Sequence, residues 1–519
     1  MPKPALTRSL CAFLALAVVA TLLGCRSRAP RRTEPRLVLL YVTCTVNRSH
    51  LAPYNPAVAY TPRLAGFAQQ ARVFMRHQTE EGMSGPSFAS ILTGTQADRH
   101  GVFAHPARLA EGNHLITEAF AEAGWETWFF DDHAIASAAL GYAQGVPPHR
   151  VKRELPRGDS QAFAHILERL REDKSRRALV VTAFTVSHRP YALERVRDFA
   201  ARHPEACGGL SSAEIERLGG RYQESRLRLQ LERNFEGTAR RLRLSPRERA
   251  ALVAAMEAIY ASRIEYLDEL FGTVLDAIDR AGLADESLVA FTADHGEILY
   301  RENAPFKWTH GFMLEPEDLT VPLIVRAPVL TPGRYQGVSR SIDVFPTLAG
   351  LSGVGLAQGS VDGVDLSAAL LGRAPEPRLA ALSHTMLVPR EVYARSREWT
   401  TFRSYFRELD APGMWVALRE GDLFCRQRAR LGKDLPPELY DLATDPGLSR
   451  NLYDSGREEH LRLVRGLAAY KRLLVDAHAH GPRAVLPSSE ERQRLETLGY
   501  IERDAGGPTP TPRPTAMPR

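Results

Sequence analysis

The run Leu288-Val289-Ala290-Phe291-Thr292-Ala293-Asp294-His295-Gly296-Glu297 sets a carboxylate beside an imidazole at the end of an apolar segment. Apolar residues without alternation suit a strand covered on both faces, as in a parallel sheet. Ligands of open α/β sheets bind just beyond the carboxyl ends of such strands, where Asp294 and His295 fall. An anionic oxygen next to a neutral imidazole nitrogen makes half of a divalent-metal site. An ordinary strand end carries the same pair, with Asp as a helix N-cap and His on the surface, and so short a motif does not separate the two.

The elements that must position the pair follow from patterning. Leu37–Val42 is a second strand-type apolar run and opens the globular part. Thr61-Pro62 ahead of Leu64 and Phe67 predicts a helix start. Ser84–Gly94 begins on a Gly-Pro turn and continues as a short helix. Helices over Leu115–Ala123 and Phe163–Leu170 alternate with strands over Thr127–Phe130 and Leu179–Phe184. That alternation predicts an α/β fold with a doubly wound, mostly parallel central sheet. Ile259, Ile264, Leu267, Phe271, Val274 and Ile278 predict a helix from Ala250 to Ala281, and Val321–Val325 a further buried strand. Asp131-Asp132-His133 has metal-like composition, but just beyond a strand it reads as a solvated loop.

A chain of 519 residues suits one large α/β unit with a smaller partner, and 44% hydrophobic content supplies its core. The net charge of +6 comes from basic residues interleaved with acidic ones as on solvated helix faces, which excludes a nucleic-acid footprint. At the start, Lys3 and Arg8 precede an apolar run from Leu10 to Leu23 that is too short for a stop-transfer helix. It ends Leu22-Leu23-Gly24-Cys25, as a bacterial lipobox does, with Cys25 the lipidated first residue of the mature chain. That places the body of the protein at the cell envelope, anchored to the membrane and facing the periplasm or exterior. Cys44, Cys207 and Cys425 then remain, which is no disulfide scaffold. The expected organisation is residues 1–25 as signal and lipobox, 26–35 as tether, 36–375 as the main unit with a helical insertion at 192–250, 376–500 as a smaller α+β subdomain, and 501–519 as a Pro-Thr tail unable to bury a core.

Several segments, in order, resemble one family. Ser84-Gly85-Pro86-Ser87 running on to Leu92-Thr93-Gly94 resembles the nucleophile motif of the sulfatases, and Arg99-His100-Gly101-Val102 the His-Gly-Val that follows it. The Tyr260–Leu283 helix, Phe291–Glu297, His310-Gly311 and Val321-Pro322-Leu323-Ile324-Val325 are similar to the family's metal-strand region. Asp343-Val344-Phe345-Pro346-Thr347 and Glu438-Leu439-Tyr440-Asp441 with Asn451-Leu452 resemble later family elements. The resemblance covers roughly residues 36–475 and implies an alkaline phosphatase-like fold.

It also implies a chemistry. Hydrolysing a sulfate or phosphate ester needs charge stabilised on the equatorial oxygens and an activated oxygen nucleophile, and a divalent cation serves both needs. By resemblance Asp294 and His295 would bind one divalent ion, calcium in typical sulfatases. Ser84 would be the nucleophile or the precursor of formylglycine, and His188, Lys307 and His310 would face the anionic ester. Asp343 reads as structural.

Three positions depart from the family, among them Ser49, which stands where the family's Arg-x-Asp-His carries its Asp. Cys44 stands where family members carry a metal-binding Asp after the first strand. A thiolate in its place would make a sulfur, oxygen and nitrogen set suited to zinc, with manganese a further option; the alternative is a decayed site. Phe88 stands where the formylglycine motif ends in Arg, which favours an unmodified Ser84 hydroxyl. The leading expectation is therefore a metal-assisted, sulfatase-like hydrolase of sulfate esters. The alternatives are a phosphoglycerol- or phosphoethanolamine-transferase-like enzyme, or a pseudoenzyme that keeps the fold as a binding module.

Overall fold

Strand β1 (Leu37–Thr43) is buried along its whole length because it lies at the centre of a sheet covered on both faces. Leu39 and Tyr41 enter the core on one face, while Val38, Leu40 and Val42 enter the core on the other. A computed structural model of the chain describes residues 34–480 other than 105–106, 155–156, 224–234, 236–238, 241, 303, 305–306, 312, 386–412 and 431–432. The signal segment with Cys25, most of the tether and the 501–519 tail lie outside the described residues.

The remaining strands of this sheet are β2 (Arg72–Gln78), β3 (Glu126–Asp131), β4 (Val151–Lys152), β5 (Ala178–Phe184), β6 (Ser287–Ala293), β7 (Leu323–Arg326) and β8 (Gly333–Arg340). Their order is β4-β3-β5-β1-β6-β7-β2-β8, and every pairing is parallel except the two that β7 makes with β6 and β2. The predicted Val321–Val325 strand thus starts at Leu323 and runs against its neighbours. Pro322 has no N–H to give a ladder, and its carbonyl instead accepts from Thr292 Oγ1 at 2.8 Å. Register settles the site: Thr43 is paired with both Ala293 and Phe184, so the residues after β1, β5 and β6 leave the sheet side by side.

Helix α1 (Ser84–Thr93) follows β2, and α2 (Pro246–Arg280) is the long helix expected near Ala250–Ala281. A capping box between Ser245 and Glu248 and a proline in the first turn start α2 four residues early. Its Tyr260 hydroxyl donates to Thr45 O and accepts from Asn47 N, both at 2.8 Å, and Arg263 Nε donates to Val186 O at 3.1 Å. One helix therefore pins the loops after β1 and β5. Within the 192–250 insertion, helices Val196–Arg202 and Ser212–Gln223 are described.

Beyond residue 375 the pattern changes to antiparallel strands: β9 (Ala380–His384), β10 (Gly413–Glu420), β11 (Leu423–Arg430), β12 (Lys433–Asp434) and β13 (Glu438–Asp441). Helix α3 (Glu458–His480) covers this sheet through Leu463, Leu467, Tyr470 and Leu474. Among the described residues no helix is long and apolar enough to cross a membrane.

Three histidines are buried in and beside the two sheets. His384 Nδ1 lies 3.2 Å from Tyr470 Oη, His100 Nε2 3.2 Å from Ser90 Oγ, and His77 Nδ1 2.9 Å from Ser339 Oγ. Burial pushes all three rings down to about 3, helped at His77 by Arg48 and at His100 by His384. The unfolded chain, with rings near 6.5, takes up protons first, so their stabilisation is complete above pH 6.5 and is lost toward pH 3. The slope is up to about 1.4 kcal/mol per pH unit for each ring. Glu80, pushed up to about 8 by burial, works in the opposite sense between pH 4.5 and 8. Urea midpoints should therefore fall steeply below about pH 5, and replacing His100 by Gln should flatten that fall.

Candidate active site

Cys44 follows β1, and Asp294 and His295 follow β6; all three are fully buried. Asp294 Oδ1 accepts from the backbone N–H of His295 at 2.7 Å and of Thr45 at 3.2 Å. Thr45 holds φ at 54°, a left-handed conformation that is strained for a β-branched residue and that the Tyr260 bond helps to maintain. With Oδ1 so engaged, Asp294 Oδ2 is buried with no hydrogen-bond partner among the described residues.

The tautomer of His295 follows from its neighbours. Nδ1 lies 2.9 Å from the Gly296 carbonyl, which can only accept, so Nδ1 carries the proton and Nε2 offers a lone pair. Ser84 Oγ donates toward that Nε2 at 3.1 Å and lies 3.5 Å from Cys44 Sγ, which in turn is 3.8 Å from Nε2. Ser84 reaches this point as the first residue of α1, where helix N–H groups have no intrahelical acceptor and favour anions. Tyr142 Oη, donating to Gly85 O at 3.0 Å, fixes the turn that presents it. Gly296 must be glycine, since a Cβ there would stand 1.9 Å from Glu317 O.

Donor atoms of Cys44, Asp294 and His295 lie within 4.8 Å of one another and could hold a metal ion. The set fits: it supplies an unpaired carboxylate oxygen, an imidazole lone pair and a sulfur. In the metal-free protein, burial and then the charge of Asp294 push the Cys44 thiol well above its ordinary range. A bound cation would reverse that preference.

The histidines assigned to the substrate stand in a row. The His295 and His310 rings are 4.4 Å apart between centroids, and those of His310 and His188 5.2 Å. His188 is half-buried and its Nδ1 is held by the Arg189 carbonyl. Lys307 is buried, with Nζ donating to Ala304 O at 2.6 Å and Glu302 O at 3.3 Å and lying over the Tyr300 ring; these contacts tie it to its own loop. Asp343 accepts from Arg340 N at 2.8 Å and Val364 N at 2.7 Å, a structural use as expected, although it reaches back to the preceding turn and does not cap the helix after it.

Four acid or imidazole groups at or beside the site went unassigned in the sequence. Asp131 and His133 are fully buried, not in a solvated loop. Asp131 Oδ2 accepts from Ala138 N at 3.0 Å, and His133 Nδ1 accepts from Ile135 N and Ala136 N, which folds the loop inward. The proton therefore sits on His133 Nε2, 4.0 Å from Asp294 Oδ2, which leaves that nitrogen no lone pair for a metal. Glu297 Oε2 lies 3.4 Å from His310 Nδ1; its place three residues after Asp294 was the one signal for it. Asp318 accepts from Gly311 N at 2.7 Å and faces His295 Nδ1 at 3.9 Å. Burial pushes its carboxyl well above the usual range, against the Gly311 bond and with help from Glu297, Glu315 and Asp294. Only the turn of chain at 315–320 brings Asp318 here, and no sequence spacing announces it.

Comparison with known proteins bears on this arrangement. A family model described as Sulfatase matches residues 36–354. Choline-sulfatase of Rhizobium meliloti is 25% identical over 78% of this chain and 80% of its own. Arylsulfatase A of Bos taurus is 32% identical over 42% of this chain and 44% of its own. In fold, the chain is similar to a protein solved in complex with its substrate D-glucosamine-2-N,6-O-disulfate, with TM-score 0.62 and 16% identity over 86% of this chain and 99% of that one. It is also similar to a phosphonate monoester hydrolase from Silicibacter pomeroyi, with TM-score 0.56 and 19% identity over 87% and 96% of the two chains. Because the matched stretch runs from β1 through β6 to the helix after β8 and takes in Cys44, Ser84, His188, Asp294, His295 and His310, the chain belongs to the Sulfatase family of sulfuric ester hydrolases.

Proposed function

We propose that this protein hydrolyses sulfate monoesters with the unmodified Ser84 hydroxyl as nucleophile and one divalent ion held at Asp294 and His295. The observation that carries the reading is the meeting of Ser84 Oγ with His295 Nε2 at 3.1 Å and Cys44 Sγ at 3.5 Å beside an Asp294 oxygen with no hydrogen-bond partner among the described residues. When bound, the ion lowers the pKa of the hydroxyl and offsets charge on the ester oxygens. Ser84 Oγ attacks sulfur from the first turn of α1, and the bond from sulfur to the alcohol oxygen breaks. The leaving alkoxide takes its proton from the His310–His188 pair, with Glu297 holding His310, and the proton released by Ser84 replaces it. Water then displaces sulfate from Ser84 and restores the hydroxyl.

Phe88 favours the plain serine. It is fully buried with its ring edge-on to His133 at 5.2 Å, so an apolar contact occupies the place of the motif's arginine. The same feature motivates a second reading, transfer or hydrolysis of phosphodiesters by an unmodified hydroxyl. Aryl sulfates and phosphodiesters assayed with zinc, manganese or calcium separate the two, and the intact mass of the Ser84 peptide reports on formylglycine. Loss of both activities under every metal would sink both enzymatic readings and leave the binding-module alternative.

We place the protein at a bacterial membrane through lipidated Cys25, from the lipobox alone. Labelling with an alkyne fatty acid should mark the full chain and not Cys25→Ala. Equal labelling of the two would refute it.

A further inference from the structure

Calcium takes about six to eight oxygen ligands, and the loop after β1 brings a sulfur atom into this site instead. We propose that the site is a thiolate-containing zinc site, with Cys44 Sγ, Asp294 Oδ2 and His295 Nε2 as its protein ligands. The inference rests on the reading of Asp294 and His295 as metal ligands and goes further in naming the ion class and the role of Cys44.

Four observations converge. The donors of these three buried residues lie within 4.8 Å of one another. Asp294 Oδ2 is buried without a hydrogen-bond partner among the described residues, while Oδ1 is consumed by two backbone N–H groups. The Gly296 carbonyl holds the proton of His295 on Nδ1, at 2.9 Å, and leaves Nε2 as a lone pair facing Cys44 Sγ. Parallel register, with Thr43 opposite Ala293, delivers Cys44 and Asp294 at one level, so the sulfur is placed by the sheet and not by a mobile loop. Soft sulfur with one nitrogen and one carboxylate oxygen is a zinc-type donor set and a poor one for calcium or magnesium. Catalytic zinc sites use three protein ligands and keep a position for the reacting oxygen; Ser84 Oγ is the neighbouring oxygen, 3.1 Å from Nε2 and 3.5 Å from Sγ.

The test uses the full chain purified under reducing conditions. Wild-type protein should carry zinc at one equivalent, and its cobalt(II)-substituted form should show a near-ultraviolet sulfur-to-cobalt charge-transfer band. In Cys44→Ser the band should vanish and zinc affinity should drop by more than the roughly 100-fold that losing an outer-shell partner costs. Cys44→Asp should raise calcium affinity relative to zinc. Cobalt that binds wild-type protein without the band, or unchanged zinc affinity in a folded Cys44→Ser, overturns the thiolate ligand while leaving the metal-dependent reading standing. Failure of wild-type protein to bind any divalent metal overturns both. The wild-type spectrum decides even if a variant does not fold.

Discussion

Ser84→Ala should leave a folded protein whose turnover has dropped by roughly four orders of magnitude. The hydroxyl is the only atom removed, and its contacts are with His295 Nε2 and Cys44 Sγ, so little packing goes with it. The position is fully buried at the start of α1, where alanine keeps the helix. Urea midpoints within about 1 kcal/mol of wild type, with kcat lost and metal content retained, are the expected combination. A variant that keeps more than about a tenth of wild-type kcat would remove Ser84 from the reaction. Ser87→Ala is the control, because Ser87 Oγ is engaged with the Glu81 carbonyl and is not in contact with His295.

Arg426→Ala should destabilise the protein by about 3–5 kcal/mol, the range for removing one partner of a buried ion pair. Arg426 lies on β11, its side chain 8% exposed, and bonds Glu315 Oε1, Glu438 Oε2 and Leu314 O at 2.7, 2.7 and 3.0 Å. Its guanidinium also lies over Trp415 and Tyr440. Removal leaves Glu315, 2% exposed, with Arg301 as its remaining ion-pair partner among the described residues. The effect should reach the active site, because Glu315 begins the turn in which Asp318 O accepts from Gly296 N at 2.7 Å and the Asp318 carboxylate faces His295. We expect a lowered urea midpoint and, at temperatures where the variant is folded, a lowered kcat. Adding Glu315→Gln should cost far less in the Arg426→Ala background than alone. Additive losses would show that the pair is not coupled.

The fold was legible because the patterns behind it are local. Apolar runs at β1, β5 and β6 carry no alternation, since both faces of each strand are covered, and the intervening helices carry their own period. The reversed direction of β7 was not legible, because direction is a property of the chain's return path and a short strand reads the same either way. Motif order singled out Ser84, Asp294, His295 and His310, which the fold brings close together. His133 was misread as solvated because its burial depends on a loop folded inward by its own ring nitrogen accepting two backbone N–H groups.

By itself the sequence determined the family, the α/β architecture and which residues stand at the strand ends. Each of these is a matter of residue type and order. Tertiary structure alone decided which atoms face one another. Register set Cys44 level with Asp294, and the turn at 315–318 set Asp318 behind His295. Those outcomes depend on hydrogen-bond geometry between segments more than 20 residues apart in sequence for Asp318, and about 250 for Cys44 and His295. No local pattern of side chains encodes such distances.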